Sequence, residues 1–166
     1  LDYIATTSCT GYLCPGLSPR FMKELGIRQD IPHYDMQGMG CGAAVPAINA
    51  ASIFVKNNQD KKALVTAVEI CSTAYYFEDS YDAITANAIF ADGAASVLIG
   101  YDDGKLAPAI CDFESMLDLD NLEKLGFGYK DGLLKIILNE DVRKLTGPLV
   151  KNVADKILSR NNISKE

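Results

Sequence analysis

The chain has no tryptophan and only one histidine, His33. A single imidazole cannot build a histidine-rich metal centre. Any Cys-His or Ser-His couple within these residues would have to run through that one side chain. His33 follows Pro32 at the start of a strand expected over residues 31–37 and is read as a packing or surface residue. The five cysteines, at 9, 14, 41, 71 and 111, contain no CxxC pair. Metal ligand pairs at short spacing are therefore missing, and no metal is expected. The odd count and irregular spacing also argue against a disulfide framework and for a reducing, cytoplasmic compartment. Basic residues are few: 16 Lys and Arg against 22 Asp and Glu give 16 − 22 = −6. With no Lys/Arg cluster, a nucleic-acid surface is excluded. The longest uncharged run is Met36 to Val55; its strictly apolar part is too short, and too rich in Pro46, Asn49 and Ser52, to cross a bilayer. There is no initiator Met, and the chain opens on an apolar strand candidate and closes just past an amphipathic helix. A piece of a longer protein is expected.

That uncharged run is the centre of the sequence. Asp35-Met-Gln-Gly-Met-Gly-Cys41-Gly places a cysteine between two glycines, and an apolar helix candidate follows. Being apolar all round, the helix is expected to be buried. Pro46 falls in its first turn, where the missing N–H costs nothing. A helix N-terminus favours the thiolate, which is the reactive form of cysteine. Gly40 and Gly42 let backbone approach a ligand, and free N–H groups there can receive an oxyanion. The same residues also fit a buried cysteine acting as a small hydrophobe.

Elsewhere the pattern is α/β. Strands are expected over 3–8, 31–37, 63–70, near 94–100, over 105–115 and over 133–138. Ser18 is expected to cap a helix ending at Gly26, Asp79 or Ser80 a short helix to Ile89, and Thr146 a last helix with Pro148 in its first turn. Residues 116–131 are expected to form a loop with a short helix or hairpin. Ala63–Ile70 reads as a strand buried in the middle of a sheet. Glu69 near its end fits either a carboxylate that orders an active-site wall or a residue reaching solvent. Tyr75, Tyr76 and Phe77 fit a substrate pocket or ordinary core. A β-then-helix pattern restarts around Gly104, which suggests 1–103 as one part and 104–166 as the start of another.

Three motifs in order, Gly38-Met-Gly-Cys-Gly-Ala43, Val65-Thr-Ala-Val-Glu69 and Phe90-Ala-Asp-Gly-Ala94, resemble the thioester-dependent condensing enzymes of the thiolase-like fold. The resemblance is closest to type III polyketide synthases (chalcone and stilbene synthase relatives) and to the ketoacyl synthase III group. It implies a partial thiolase-like α/β fold: a mixed sheet around a buried nucleophile helix, with 1–103 in the N-terminal half and 104–166 opening the C-terminal half. It implies an acyltransferase in which Cys41 takes an acyl group as a thioester and its N–H joins an oxyanion hole. Acyl-CoA and malonyl-CoA are the implied substrates, or a carrier-protein thioester, with no resident cofactor. Cys9 and Thr10 would line the cavity, and Glu69 would lie close to the nucleophile. Tyr75 or Tyr76 would stand near an aromatic gatekeeper. The Gly11–Gly16 loop would reach across a homodimer interface, placing Cys14 at the neighbouring cavity and making Cys14–Pro15 a candidate cis bond. The family's catalytic His and Asn would follow the last residue here, and His33 matches neither. These 166 residues alone are expected not to condense anything. The competing readings are a non-catalytic subunit or scaffold in which Cys41 only packs, and a cysteine hydrolase, for which no histidine is suitably placed.

Overall fold

The computed structural model describes residues 1–101, 104 and 107–164. They form two compact units. One comprises Leu1–Thr73 and Ala91–Pro108, the other Ala74–Phe90 and Ala109–Glu166. The short segment 74–90 thus groups with the C-terminal stretch. Asp103, the last residue of the expected first part, lies outside the described residues.

In the first unit, β1 (Tyr3–Ser8), β2 (His33–Gln37), β3 (Lys62–Glu69) and β4 (Gly93–Gly100) form one sheet in the order β2-β1-β3-β4. β1 runs parallel to both neighbours, and β4 is antiparallel to β3. All six residues of β1 are buried, as a parallel strand covered on both faces requires. Successive side chains serve opposite faces. Tyr3, Ala5, Ala63 and Val65 pack with Ala47, Ala51 and Val55 of α2 (Ala44–Asn57). Ile4 and Leu64 pack with Met22 and Phe21 of α1 (Leu17–Glu24) on the other face. Alanines at 47 and 51 let α2 lie close to the sheet. The expectation that α2 is buried all round is corrected: Val45 is 52% and Ile53 54% exposed, so one face of the helix has no cover among the described residues.

The start of α1 also differs from expectation. Ser18 lies inside the helix, and Gly16 occupies the cap position without a side chain. The cap comes from β2: Asp35 Oδ1 accepts from the Leu17 and Ser18 amides at 2.8 and 2.9 Å. Asp35 Oδ2 accepts from Ser18 Oγ at 2.6 Å, and Thr6 Oγ1 donates to Oδ1. A Cβ on Gly16 would come within 2.3 Å of Asp35 Cγ, so this glycine makes room for its neighbour's carboxylate. Burial pushes that carboxyl up, but the hydrogen bonds from Ser18, Thr6 and Leu17 outweigh it and hold it below its ordinary value.

In the second unit, α3 (Tyr81–Ile89) is capped by Ser80, as expected. A hairpin of β5 (Leu125–Lys130) and β6 (Leu133–Leu138) turns at Asp131-Gly132 with φ of 53° and 77°, the positive pair of a type I′ turn. Ile136 and Leu138 pack with Ala74 and Ala86. The last helix, α4 (Val142–Arg160), starts before Thr146, whose hydroxyl instead donates to the Val142 carbonyl at 2.7 Å. Pro148 is therefore inside the helix rather than in its first turn. The strand expected over 105–115 is not found: 107–115 are irregular, and 105–106 lie outside the described residues.

Candidate active site

In an α/β sheet, ligands gather beyond the carboxyl ends of the parallel strands. Here β1, β2 and β3 are mutually parallel neighbours, and each leads to a cysteine. Cys9 follows β1 directly, Cys41 comes four residues after β2, and Cys71 two residues after β3. Glu69, the last residue of β3, ties this end together: its Oε1 accepts from the Cys9 amide at 2.9 Å. Its Oε2 is buried and has no hydrogen-bond partner among the described residues. The Glu69 carboxylate thus turns inward at the end of β3. Thr10 Oγ1 accepts from the Ile70 amide at 2.8 Å, so its hydroxyl stitches the ends of β1 and β3.

Cys41 is exposed. It stands on a turn that Gly38 and Gly40 enter with φ of +70° and +76°, values that L side chains rarely adopt. The Ala43 and Val45 amides close the turn onto the Gly40 and Gly42 carbonyls at 3.1 and 3.0 Å. α2 begins only at Ala44, so Cys41 precedes the first helical residue instead of opening the helix. The pKa of each companion thiol is pushed above its ordinary value. Burial raises Cys9, and the Glu69 charge adds to it, partly offset by an amide contact from Gly40. Burial also raises Cys71, with Glu69 and Asp92 adding to it. Asp92 is fixed by the amide and hydroxyl of Ser72, both at 2.8 Å. Burial is the larger cause for both thiols because it penalises the charged form.

Cys14 is exposed in the loop after β1, and its bond to Pro15 is cis. Tyr75 and Tyr76 belong to the second unit. The Tyr75 hydroxyl donates to the Asn87 carbonyl at 3.0 Å, and Tyr76 donates to Asp131 Oδ2 at 2.8 Å. Lys130 and Lys135 stand 5.7 and 5.3 Å from the Tyr76 ring centre and both pair with Glu78. Cys71 was missed by sequence reasoning. Its signal was available, a thiol two residues past the end of a buried parallel strand. Among the described residues no group of three or more His, Cys, Asp or Glu side chains is placed to hold a metal ion.

A mixed sheet with a cysteine turn leading into a helix across its face is the arrangement of the thiolase-like condensing enzymes. The chain superposes on PKS-I from the brown alga Ectocarpus siliculosus with a TM-score of 0.89 at 26% identity, covering 99% of this chain and 44% of that one. Residues 4–115 match the model of the FAE1/Type III polyketide synthase-like protein family, and the chain belongs to that family. It is 27% identical over 168 residues to the 3,5-dihydroxyphenylacetyl-CoA synthase of Amycolatopsis balhimycina, covering 99% of this chain and 45% of the relative. It is 31% identical over 163 residues to the alpha-pyrone synthesis polyketide synthase-like Pks18 of Mycobacterium tuberculosis, covering 96% and 39%. The chain thus spans less than half the length of these relatives.

Proposed function

We propose that Cys41 is the acyl-accepting nucleophile of a decarboxylating condensing enzyme. The observation that carries this reading is its position: an exposed thiol on a glycine turn, beyond the carboxyl ends of three parallel strands and ahead of α2. The Cys41 thiolate attacks the carbonyl of an acyl-CoA thioester. Charge develops on the carbonyl oxygen, where the Cys41 N–H and neighbouring turn amides stabilise it. The coenzyme A thiolate then leaves, and the acyl group stays on Cys41 as a thioester. Splitting the transfer in this way replaces one hard step by two easier ones. Extension follows when a malonyl thioester loses carbon dioxide and its carbanion attacks the Cys41-bound carbonyl. Cys9, Thr10 and Glu69 wall the site. The enzyme works as a cytoplasmic homodimer, with the Cys14 loop at the interface. An acyl carrier protein is the alternative donor.

The 166 residues do not complete the reaction. His33 opens β2, whereas Cys41 follows its far end, and the strand alone spans roughly 13 Å between His33 and Gln37. The His33 ring also faces the Ile31 carbonyl at 3.5 Å. No imidazole is thus available to Cys41 among the described residues. Chromatographic assay of free coenzyme A tests the loading step. Incubation with a short-chain acyl-CoA should release one equivalent of coenzyme A per chain, and Cys41→Ala should release none. Equal release by the variant, or no release by either protein, would leave the scaffold reading.

A further inference from the structure

β4 is an edge strand with none of the features that keep edges apart. It spans eight residues, Gly93–Gly100, with no charged residue and no proline. One side is paired with β3 without a break in register, from Glu69↔Gly93 to Lys62↔Gly100, so there is no bulge. The other side ends the sheet, and no backbone hydrogen bond reaches it among the described residues. Seven of the eight residues are exposed, Leu98 to 58% and Val97 to 38%, and Ile99 alone is buried. Folded proteins guard their edges with lysine, proline or a bulge, because a long uncharged edge is a template for another strand. β4 is left open as such a template.

We propose that the free edge of β4 pairs antiparallel with β4 of a second copy of this chain, joining two four-stranded sheets into one. The inference does not rest on the acyl-acceptor reading of Cys41, and its interface is separate from the one proposed at the Cys14 loop. The order of side-chain sizes along the strand selects the occupant. In an antiparallel pair, directly opposed residues share a face of the sheet and pack on each other. A two-fold axis at Ser96 sets Ser96 against the partner's Ser96, Ala95 against the partner's Val97, Ala94 against the partner's Leu98 and Gly93 against the partner's Ile99. Gly93, Ala94, Ala95 and Ser96 fill the first half of the strand, and Val97, Leu98 and Ile99 follow. Every large side chain therefore meets a small one, and no two large ones collide. The strand is its own complement, as an isologous interface requires. Each copy carries a net charge of −6, but β4 contributes none of it, so the pairing opposes no like charges.

The test measures the mass of the reduced protein by light scattering over a concentration series and locates the contact by amide hydrogen exchange. The mass of the wild type should rise with concentration, and the amides of 93–100 should exchange more slowly in the concentrated sample than in the dilute one. Leu98→Lys, which places a charge at an exposed position of the edge, should halve the mass reached. Adding Ala94→Glu to Leu98→Lys sets opposite charges across each Ala94–Leu98 pair and should restore the wild-type mass. A mass that Leu98→Lys leaves unchanged would overturn the proposal and leave the Cys14 loop as the interface. Amides of 93–100 that exchange alike at both concentrations would also overturn it; if they are protected in both samples, the edge is filled from within one chain. Slowed exchange at 33–37 in place of 93–100 would assign the contact to the β2 edge, against the proposal. The exchange measurement uses the wild type and does not depend on a variant's folding. Coenzyme A release enters neither readout, so a failed β4 pairing leaves the acyl-acceptor reading intact.

Discussion

In the proposed reaction Glu69 supplies a fixed charge and Cys41 the reactive sulfur. The Glu69 carboxylate is held at the end of β3 with one oxygen on the Cys9 amide and the other buried without a partner among the described residues. Its negative charge adds to burial in raising both Cys9 and Cys71. Glu69→Gln keeps an oxygen acceptor for the Cys9 amide and removes the charge. Iodoacetamide labelling of Cys9 and Cys71 should then set in at lower pH than in wild type, followed by peptide mass spectrometry across a pH series. Unchanged labelling profiles would mean that burial alone raises these thiols. At this scale the sequence disclosed Cys41 by its glycine flanks and Glu69 as an acid at the end of an apolar strand. Cys71 escaped notice because its relation to Cys9 and Cys41 depends on which strands are neighbours, and order in a sheet is not written in any local window. Tyr75 and Tyr76 were legible as aromatics but not as the partners of Asn87 and Asp131, residues up to 55 positions away.

The elements were mostly legible because their periods are. β1, β3 and β4 read as strands, and the apolar run Ala63–Ile70 read as a strand in the middle of a sheet, where β3 lies between β1 and β4. Caps were less legible. Ser18 had the right chemistry for an N-cap, yet Asp35, from the neighbouring strand, took the role and drew the Ser18 hydroxyl to itself. Thr146 likewise satisfies its hydroxyl on the preceding turn, so α4 extends back to Val142. Asp35→Ala should lower stability by about 1–2 kcal/mol, the usual worth of a helix cap, as measured by urea unfolding near neutral pH. Because the folded-state carboxyl lies below its ordinary 3.8, its contribution is complete above that value and is lost as pH falls through the folded-state value. A variant as stable as wild type at neutral pH would show the cap to be dispensable. In the second unit, Glu78 accepts from both Lys130 and Lys135 and is held down to about 2 from 4.5. An NMR titration should place its midpoint near 2, and Lys130→Met with Lys135→Met should return it towards 4.5. A wild-type midpoint near 4.5 would mean that the two ion pairs do not persist in solution. These pairs are exposed enough that the titration, rather than a stability change, is the proper readout.

At the scale of the molecule, the chain carries the Cys41 turn and its surrounding strands but spans 45% of the Amycolatopsis relative and 44% of the Ectocarpus structure. The uncovered face of α2, with Val45 and Ile53 more than half exposed, explains why an all-round apolar helix was expected to be buried while the described residues cover only one side of it. Hydrophobic content reports what an element is built to face and does not report whether that neighbour lies within the chain at hand. The same reasoning applies to chemistry. Purified protein of these 166 residues, given acyl-CoA and malonyl-CoA, should load Cys41 but form no extended product detectable by mass spectrometry. Extended product would show that a base other than His33 serves the reaction within the chain. The central claim, that Cys41 and not its neighbours accepts the acyl group, is tested most directly by peptide mapping after brief incubation of the reduced protein with an acyl-CoA. The account predicts one acyl mass increment, on the Cys41 peptide, absent from Cys41→Ala. An increment on Cys9 or Cys71, or one that persists in Cys41→Ala, would contradict it.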